Sequence, residues 1–254
     1  MALIDDDGWL KAEPDKGDVL WIARVPRPKD YGPLSVPHPV LISHHVTARW
    51  MKDGVDTFGP GMGEMGARAC KADYYAHVYV ARDGRAVQVV PYGRSALATE
   101  RSMIVDGKKR EINRVAFQIE WDNWGVALKN GWRGKNAKTG EESPRINPKR
   151  KDVVRNYGVK PYPGPLWQSV TETQARAVAE ICVAVVARSK MNPLDALHGH
   201  YELSRDGHID PGPVICGALE TVVAGALGLK LPMICPAREV YKPTPVVIST
   251  LGVA

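Results

Sequence analysis

Short runs of apolar and β-branched residues dominate the first half of the chain, and longer stretches of helical spacing appear only after residue 170. Residues 18–24 (DVLWIAR) predict a strand, and the Pro-rich 25–39 a loop. Residues 39–45 (PVLISHH) predict a second strand, apolar at first and ending on two histidines. Neighbours in a strand point to opposite faces, so only one of His44 and His45 can face a given site. Residues 74–80 (YYAHVYV) and 86–90 (AVQVV) flank a turn at Arg82-Asp83-Gly84 and predict a hairpin with His77 in its first arm. Residues 114–121 (RVAFQIEW) predict a further strand with Glu120 near its end, a position where a lone acid is usually a solvated face.

The second half reads differently. Residues 171–190 predict a helix, with Thr171 and Gln174 as a capping box and an apolar stripe through Val178, Ile181, Cys182 and Val185. Residues 196–201 predict a short strand. Residues 214–227 predict a second amphipathic helix with Ile215, Ala218, Leu219, Val222 and Ala226 on one face and Gly228 after it. Between the strands at 39–45 and 74–80, residues 51–70 are rich in Gly and Met and suit a loop. Residues 123–164 are polar and basic and too long for an ordinary connection. The Pro-containing tail, 230–254, predicts an extended wrap. Strands followed by late helices imply an α/β fold of one domain, a central mixed β-sheet flanked by α-helices. Its expected boundaries are an N-terminal extension at 1–17, the domain at 18–229 with its insertion, and the tail.

At 254 residues and 44% hydrophobic content the chain can bury a sizeable core. Its apolar runs stop well short of the roughly 20 residues a membrane helix needs, so no membrane insertion is expected. The start, with Asp5, Asp6 and Asp7, is acidic where a secretory signal would be basic, which leads us to expect synthesis in the cytosol without a cleaved signal. Four widely spaced cysteines without a Cys-x-x-Cys motif read as structural or free. The net charge of +6 favours anionic partners such as nucleic acid, acidic lipid or wall polymers. The basic residues Lys149, Arg150 and Lys151 sit in one polar stretch without a nucleic-acid motif, so no nucleic-acid partner is expected.

The chemistry concentrates at 198–213, which holds three of the seven histidines and reads HGHYELSRDGHIDPGP. A turn at Arg205-Asp206-Gly207 can bring His200 and Asp210 together, and both are good ligands for a borderline cation such as zinc. Pro211 keeps Asp210 extended, and Gly212-Pro213 suits a helix start. An ordinary surface turn is the bland alternative unless a third ligand joins from elsewhere.

Four segments, taken in order, resemble the type 2 family of zinc-dependent N-acetylmuramoyl-L-alanine amidases, which share a fold with peptidoglycan recognition proteins. These are His45-Val46-Thr47-Ala48, the hairpin from His77 to Asp83-Gly84, Ile119-Glu120, and His200 followed ten residues later by Asp210-Pro211-Gly212. The resemblance spans about residues 18–228. It implies one zinc per chain held by His45, His200 and Asp210 at one edge of the sheet, with Glu120 as the acid–base group beside it. The Thr-Ala that follows is in register with His45, although the doubled histidine leaves a slip to His44 open. His198 is then a hydrogen-bonded structural group. Many members carry a lysine two residues before the last ligand, where this chain has His208; a catalytic role carried over to His208 would make the rate depend on pH.

The implied reaction is hydrolysis of the amide between N-acetylmuramic acid and L-alanine, with peptidoglycan or a muropeptide as substrate. The expected setting is a phage endolysin or bacterial lytic enzyme, monomeric, reaching the wall through another protein's pore or acting on cytosolic wall fragments. The alternative is a non-catalytic peptidoglycan-binding module of the same fold. The insertion, with Trp124 and Trp132, is expected to line or cover the substrate groove.

Overall fold

The computed structural model describes residues 2–12, 22–46, 75–99, 101–123, 125–127, 149, 153–155, 166–203, 211–230 and 247–248. A six-stranded sheet forms its centre, its strands lying in the order His198–Gly199, Leu41–Val46, Ala116–Trp121, Val78–Val80, Ala86–Gln88 and Ile22–Arg24. The strands are β3 (Ile22–Arg24), β4 (Leu41–Val46), β5 (Val78–Val80), β6 (Ala86–Gln88), β9 (Ala116–Trp121) and β13 (His198–Gly199). All pairings are parallel except β5 with β6, the hairpin that turns at Asp83-Gly84. Both faces are covered, so β4 and β9 are buried almost throughout, and their polar residues Ser43, His44, His45 and Gln118 lie in the interior with the apolar ones.

One face packs Ile42, Val78, Val80, Phe117, Ile119 and Trp121 against α1 (Glu172–Ser189). The apolar stripe of α1 through Val178, Ile181, Cys182 and Val185 fills this layer, as its spacing predicts. Thr171 caps the helix by accepting from the Gln174 N–H, and Lys190 closes it in a left-handed conformation with φ 56°. The other half of the expected capping box is absent. The Gln174 side chain reaches across the layer instead, its Nε2 donating to the carbonyls of Val80 and Asp122 at 3.0 and 3.1 Å.

The opposite face has two patches. Tyr79, Val87 and Val89 pack with Tyr75 and Ala96. Leu41 and Ala116 pack with Met103, Val105 and Ile112, which belong to or adjoin the hairpin of β7 (Ser102–Val105) and β8 (Lys108–Glu111). That hairpin turns at Asp106-Gly107, both with positive φ, as a two-residue turn with the right strand twist requires.

Several boundaries differ from the sequence expectation. Residues 2–12 are an antiparallel hairpin of β1 (Ala2–Ile4) and β2 (Leu10–Ala12), with Ala2 and Leu10 in the main core. Gln88 clasps it, accepting from Leu10 N at 2.6 Å and donating to the Gly8 carbonyl at 3.0 Å. This part of the stretch read as an extension is therefore integral to the body. The long 123–164 stretch contains β10 (Val126–Ala127) and β11 (Val153–Arg155), which flank β12 (Leu166–Gln168) in a small antiparallel sheet, so it is more than a loop. The predicted strand at 196–201 is only the two residues of β13, preceded by a 3-10 turn (Pro193–Ala196) and followed by a helical turn, α2 (His200–Leu203). The second predicted helix is α3 (Pro213–Ala218), a π turn (Leu219–Val223) and a last α turn (Ala224–Ala226).

Of the tail, β14 (Val247–Ile248) pairs in parallel with β7. Cys182 and Cys216 are buried and outside any disulfide, and Cys70 and Cys235 lie outside the described residues. Among the described residues no helix is long and apolar enough to cross a membrane.

Candidate functional site

The parallel register of β4 and β9 sets His45 opposite Glu120, and that of β9 and β5 sets Glu120 opposite Tyr79. Directly opposed residues project from the same face, so His45, Glu120 and Tyr79 stand in one row near the carboxyl ends of these strands. On the other side of β4, Gly199 lies opposite His44, so the next residue, His200, arrives beside His45 as β13 gives way to α2. The two imidazoles meet there, with ring centroids 4.4 Å apart and planes inclined at 51°. Both residues are buried. The ends of the strands of an open α/β sheet are where such folds bind ligands.

Ser43, two residues before His45 on the same face, has its Oγ 2.9 Å from His45 Nε2 and so orients that ring. His44 faces the other way, into the layer under α1. Trp121 Nε1 donates to His44 Nδ1 at 3.1 Å, and His44 Nε2 lies 2.8 Å from the Ala196 carbonyl. An indole only donates and a carbonyl only accepts, so the His44 proton sits on Nε2 and no lone pair is left for a metal. Burial pushes its pKa down to about 4 against the opposing effect of the Ala196 carbonyl.

His198 is held by carboxylates. Its Nδ1 is 2.6 Å from Glu202 Oε2, and its Nε2 is at ion-pair distance, 3.6 Å, from Asp195 Oδ1. Burial alone would favour the neutral ring, but the two acids outweigh it and push the pKa up to about 9. Glu202 also accepts from the Tyr201 hydroxyl at 2.7 Å, which ties the first turn after His200 together.

Asp210 and His208 lie outside the described residues, as do Thr47, Ala48, Trp124 and Trp132. Pro211 is described, and its Cδ would be 2.8 Å from a Cβ on Gly199. The chain that follows Asp210 therefore returns to the residue before His200. Gly212 has φ +82° and sits so close to the Trp167 ring that an added Cβ would lie 2.3 Å from it, which fixes the entry to α3.

Among the described residues no group of three or more His, Cys, Asp or Glu is arranged to hold a metal. The donor chemistry nevertheless fits one. Two buried imidazoles side by side supply two nitrogen donors of the kind such an ion takes.

Sequence reasoning missed Ser43, Tyr79, Trp121 and Gly199 as parts of this arrangement. The signal for two of them was present: alternation puts Ser43 on the face of His45, and puts Trp121 opposite to the face of Glu120. Tyr79 and Gly199 depend on strand register and on a packed ring, which a single sequence does not carry.

The family model described as N-acetylmuramoyl-L-alanine amidase matches residues 36–213. No curated protein matches the sequence. Similar solved structures include a selenomethionine derivative of AmpD, at 19% identity over 84% of this chain and 93% of that one, with a TM-score of 0.47. The amidase AmiD from E. coli, in complex with an anhydro-N-acetylmuramic acid peptide, is 16% identical over 90% of this chain and 66% of its own, also at 0.47. The amidase LysC from Clostridium intestinale is 15% identical over 82% of this chain and 98% of its own, at 0.43. The family match begins five residues before β4 and ends at the first residue of α3, enclosing His45, Glu120, His200 and Gly199. The chain belongs to the N-acetylmuramoyl-L-alanine amidase family and is an amidase of that class.

Proposed function

We propose that this amidase hydrolyses the bond between the lactyl group of N-acetylmuramic acid and L-alanine in peptidoglycan, with one zinc held by His45, His200 and Asp210. The contact of the two imidazole rings, in register with Glu120 on the next strand, carries this reading. Zinc, when bound, supplies Lewis acidity toward water and the scissile carbonyl. Glu120 takes a proton from the attacking water and passes it to the leaving nitrogen. Ser43 keeps the His45 ring in place. His208, two residues before Asp210, assists at the carbonyl as an N–H donor where many members of the family carry a lysine.

The substrate is a wall polymer or a soluble fragment of it, and the net charge of +6 suits an anionic wall. A lytic role, as in a phage endolysin, predicts clearing of whole walls. A role on fragments predicts activity on soluble muropeptides alone. Mass analysis of purified peptidoglycan after digestion, with zinc content measured on the same protein, tests the reaction. Stem peptides that begin with a free L-alanine amine are expected. Cleavage at another bond, or none at full zinc loading, overturns the proposal, and the second result would make the chain a binding module.

A further inference from the structure

We infer that His44 is a positioning residue: its ring fixes the segment that delivers His200 against the strand that carries His45. This rests on reading His45 and His200 as a metal pair. The pairing of β13 with β4 extends over only two residues, so backbone bonds alone hold the approach to His200 weakly. Two residues before β13, the Ala196 carbonyl ends the 3-10 turn and accepts from His44 Nε2 at 2.8 Å. On its other side the same ring accepts from Trp121 Nε1, and Trp121 is the residue after Glu120. One imidazole thus ties β9, β4 and the lead into β13, the three elements that present Glu120, His45 and His200.

The ring has no freedom to do otherwise. His44 is fully buried beside Ile42 and Ile119, so water cannot replace either bond. The indole donor fixes the tautomer, and the tautomer makes the ring a donor to Ala196. An aliphatic side chain at this position would leave both the Trp121 N–H and the Ala196 carbonyl without their partner. A glutamine amide carries an acceptor oxygen and an NH2 donor group, so it offers a partner to both Trp121 and Ala196.

The test compares wild type with His44→Leu and His44→Gln in two measurements: zinc affinity by competition with a chelator, and hydrogen exchange of the metal-free protein. His44→Leu is expected to bind zinc ten- to a hundredfold more weakly, the usual effect of removing a group that orients ligands. Amides at 197–203 should exchange faster while those of α1 keep their protection. His44→Gln should recover most of both. Unchanged zinc affinity in His44→Leu overturns the inference, and so does faster exchange spread equally over α1, which marks a loss of overall stability only.

Where His44→Leu does not fold, Trp121→Phe removes the indole donor together with part of the ring's volume and leaves His44 itself in place. It is expected to weaken zinc binding on the order of threefold or more, with faster exchange at 197–203. No change in either measurement overturns the inference. A wild-type chain that takes up no zinc overturns the metal reading instead, and exchange in the variants then decides the positioning.

Discussion

Gly199 and Tyr201 pack so closely that Gly199 has no room for a side chain: an added Cβ would lie 2.3 Å from the tyrosine ring and 2.8 Å from Pro211 Cδ. Gly199→Ala must push the ring or the proline away, and both flank His200. Overpacking of this kind costs about 1–3 kcal/mol. Denaturant unfolding of the metal-free protein should show that loss, and zinc affinity should fall with it. A midpoint within experimental error of wild type would mean that the turn after β13 yields without strain.

Glu120→Gln separates proton transfer from metal binding. The amide is nearly isosteric, so fold and zinc content should persist while the rate falls by roughly a hundredfold to ten-thousandfold. The comparison is kcat/KM on a defined muropeptide, with zinc measured on the same samples. Near-normal turnover at full zinc would remove Glu120 from the mechanism, and loss of zinc would make it a ligand.

His77 gives the fold an acid limit. Its Nδ1 accepts from the Gln118 N–H at 3.0 Å and its Nε2 lies 2.8 Å from the Arg94 carbonyl. Burial against Phe117 pushes its pKa down to about 4, in spite of the carbonyl and the more distant Asp30 carboxylate, which is itself paired with Arg94. Between pH 6.5 and 4 the unfolded chain holds the extra proton, so stability is full above 6.5 and falls as the pH drops. The gap is worth on the order of 3 kcal/mol by pH 4. His77→Asn keeps the acceptor toward Gln118 but cannot titrate, so its stability should depend on pH less steeply by one proton over this range. Equal slopes in unfolding series across pH would show that His77 is already protonated in the folded state.

Gln174→Ala should destabilise the fold by about 2 kcal/mol. It removes a buried donor shared by the Val80 and Asp122 carbonyls, and a buried carbonyl stripped of a partner costs about 1–3 kcal/mol. Val80 keeps a second donor, the Asp122 N–H at 2.9 Å, which limits the loss. The helix cap from Thr171 remains in the variant, so a change near zero would mean that the cap alone anchors α1 to the strand ends.

The architecture was legible because burial on both sheet faces leaves apolar runs, and because α1 carries a regular stripe from Val178 to Val185. The site was legible in its residue types and their order more than in its geometry. The doubled histidine could be split only by what surrounds it: His44 turns to Trp121 and Ala196, while His45 turns to Ser43 and His200. The hairpin at Asp106-Gly107 was not predicted: its turn residues are present, but its arms, SMIV and KKRE, do not share one pattern. Gln174 looked like half of a local cap because its other role, spanning to Val80 and Asp122, depends on residues more than 50 positions away. The π turn at Leu219–Val223 shifts the apolar phase by a residue, which a fixed helical period does not reveal.

The pairing of β4 with β13 also governs when the site comes into being. The bond from His44 to Ala196 closes a separation of 152 residues, whereas the β5–β6 hairpin closes within a dozen. Loop-closure entropy rises with separation, and contacts of long range form slowly. During synthesis, β4, β5, β6 and β9 emerge before the chain reaches His200, so most of the sheet can assemble with its outer edge bare. The proposed histidine pair is therefore completed only after most of the strands beside it have been made. A truncated product ending before residue 198 would keep much of the scaffold and have only half of the histidine pair.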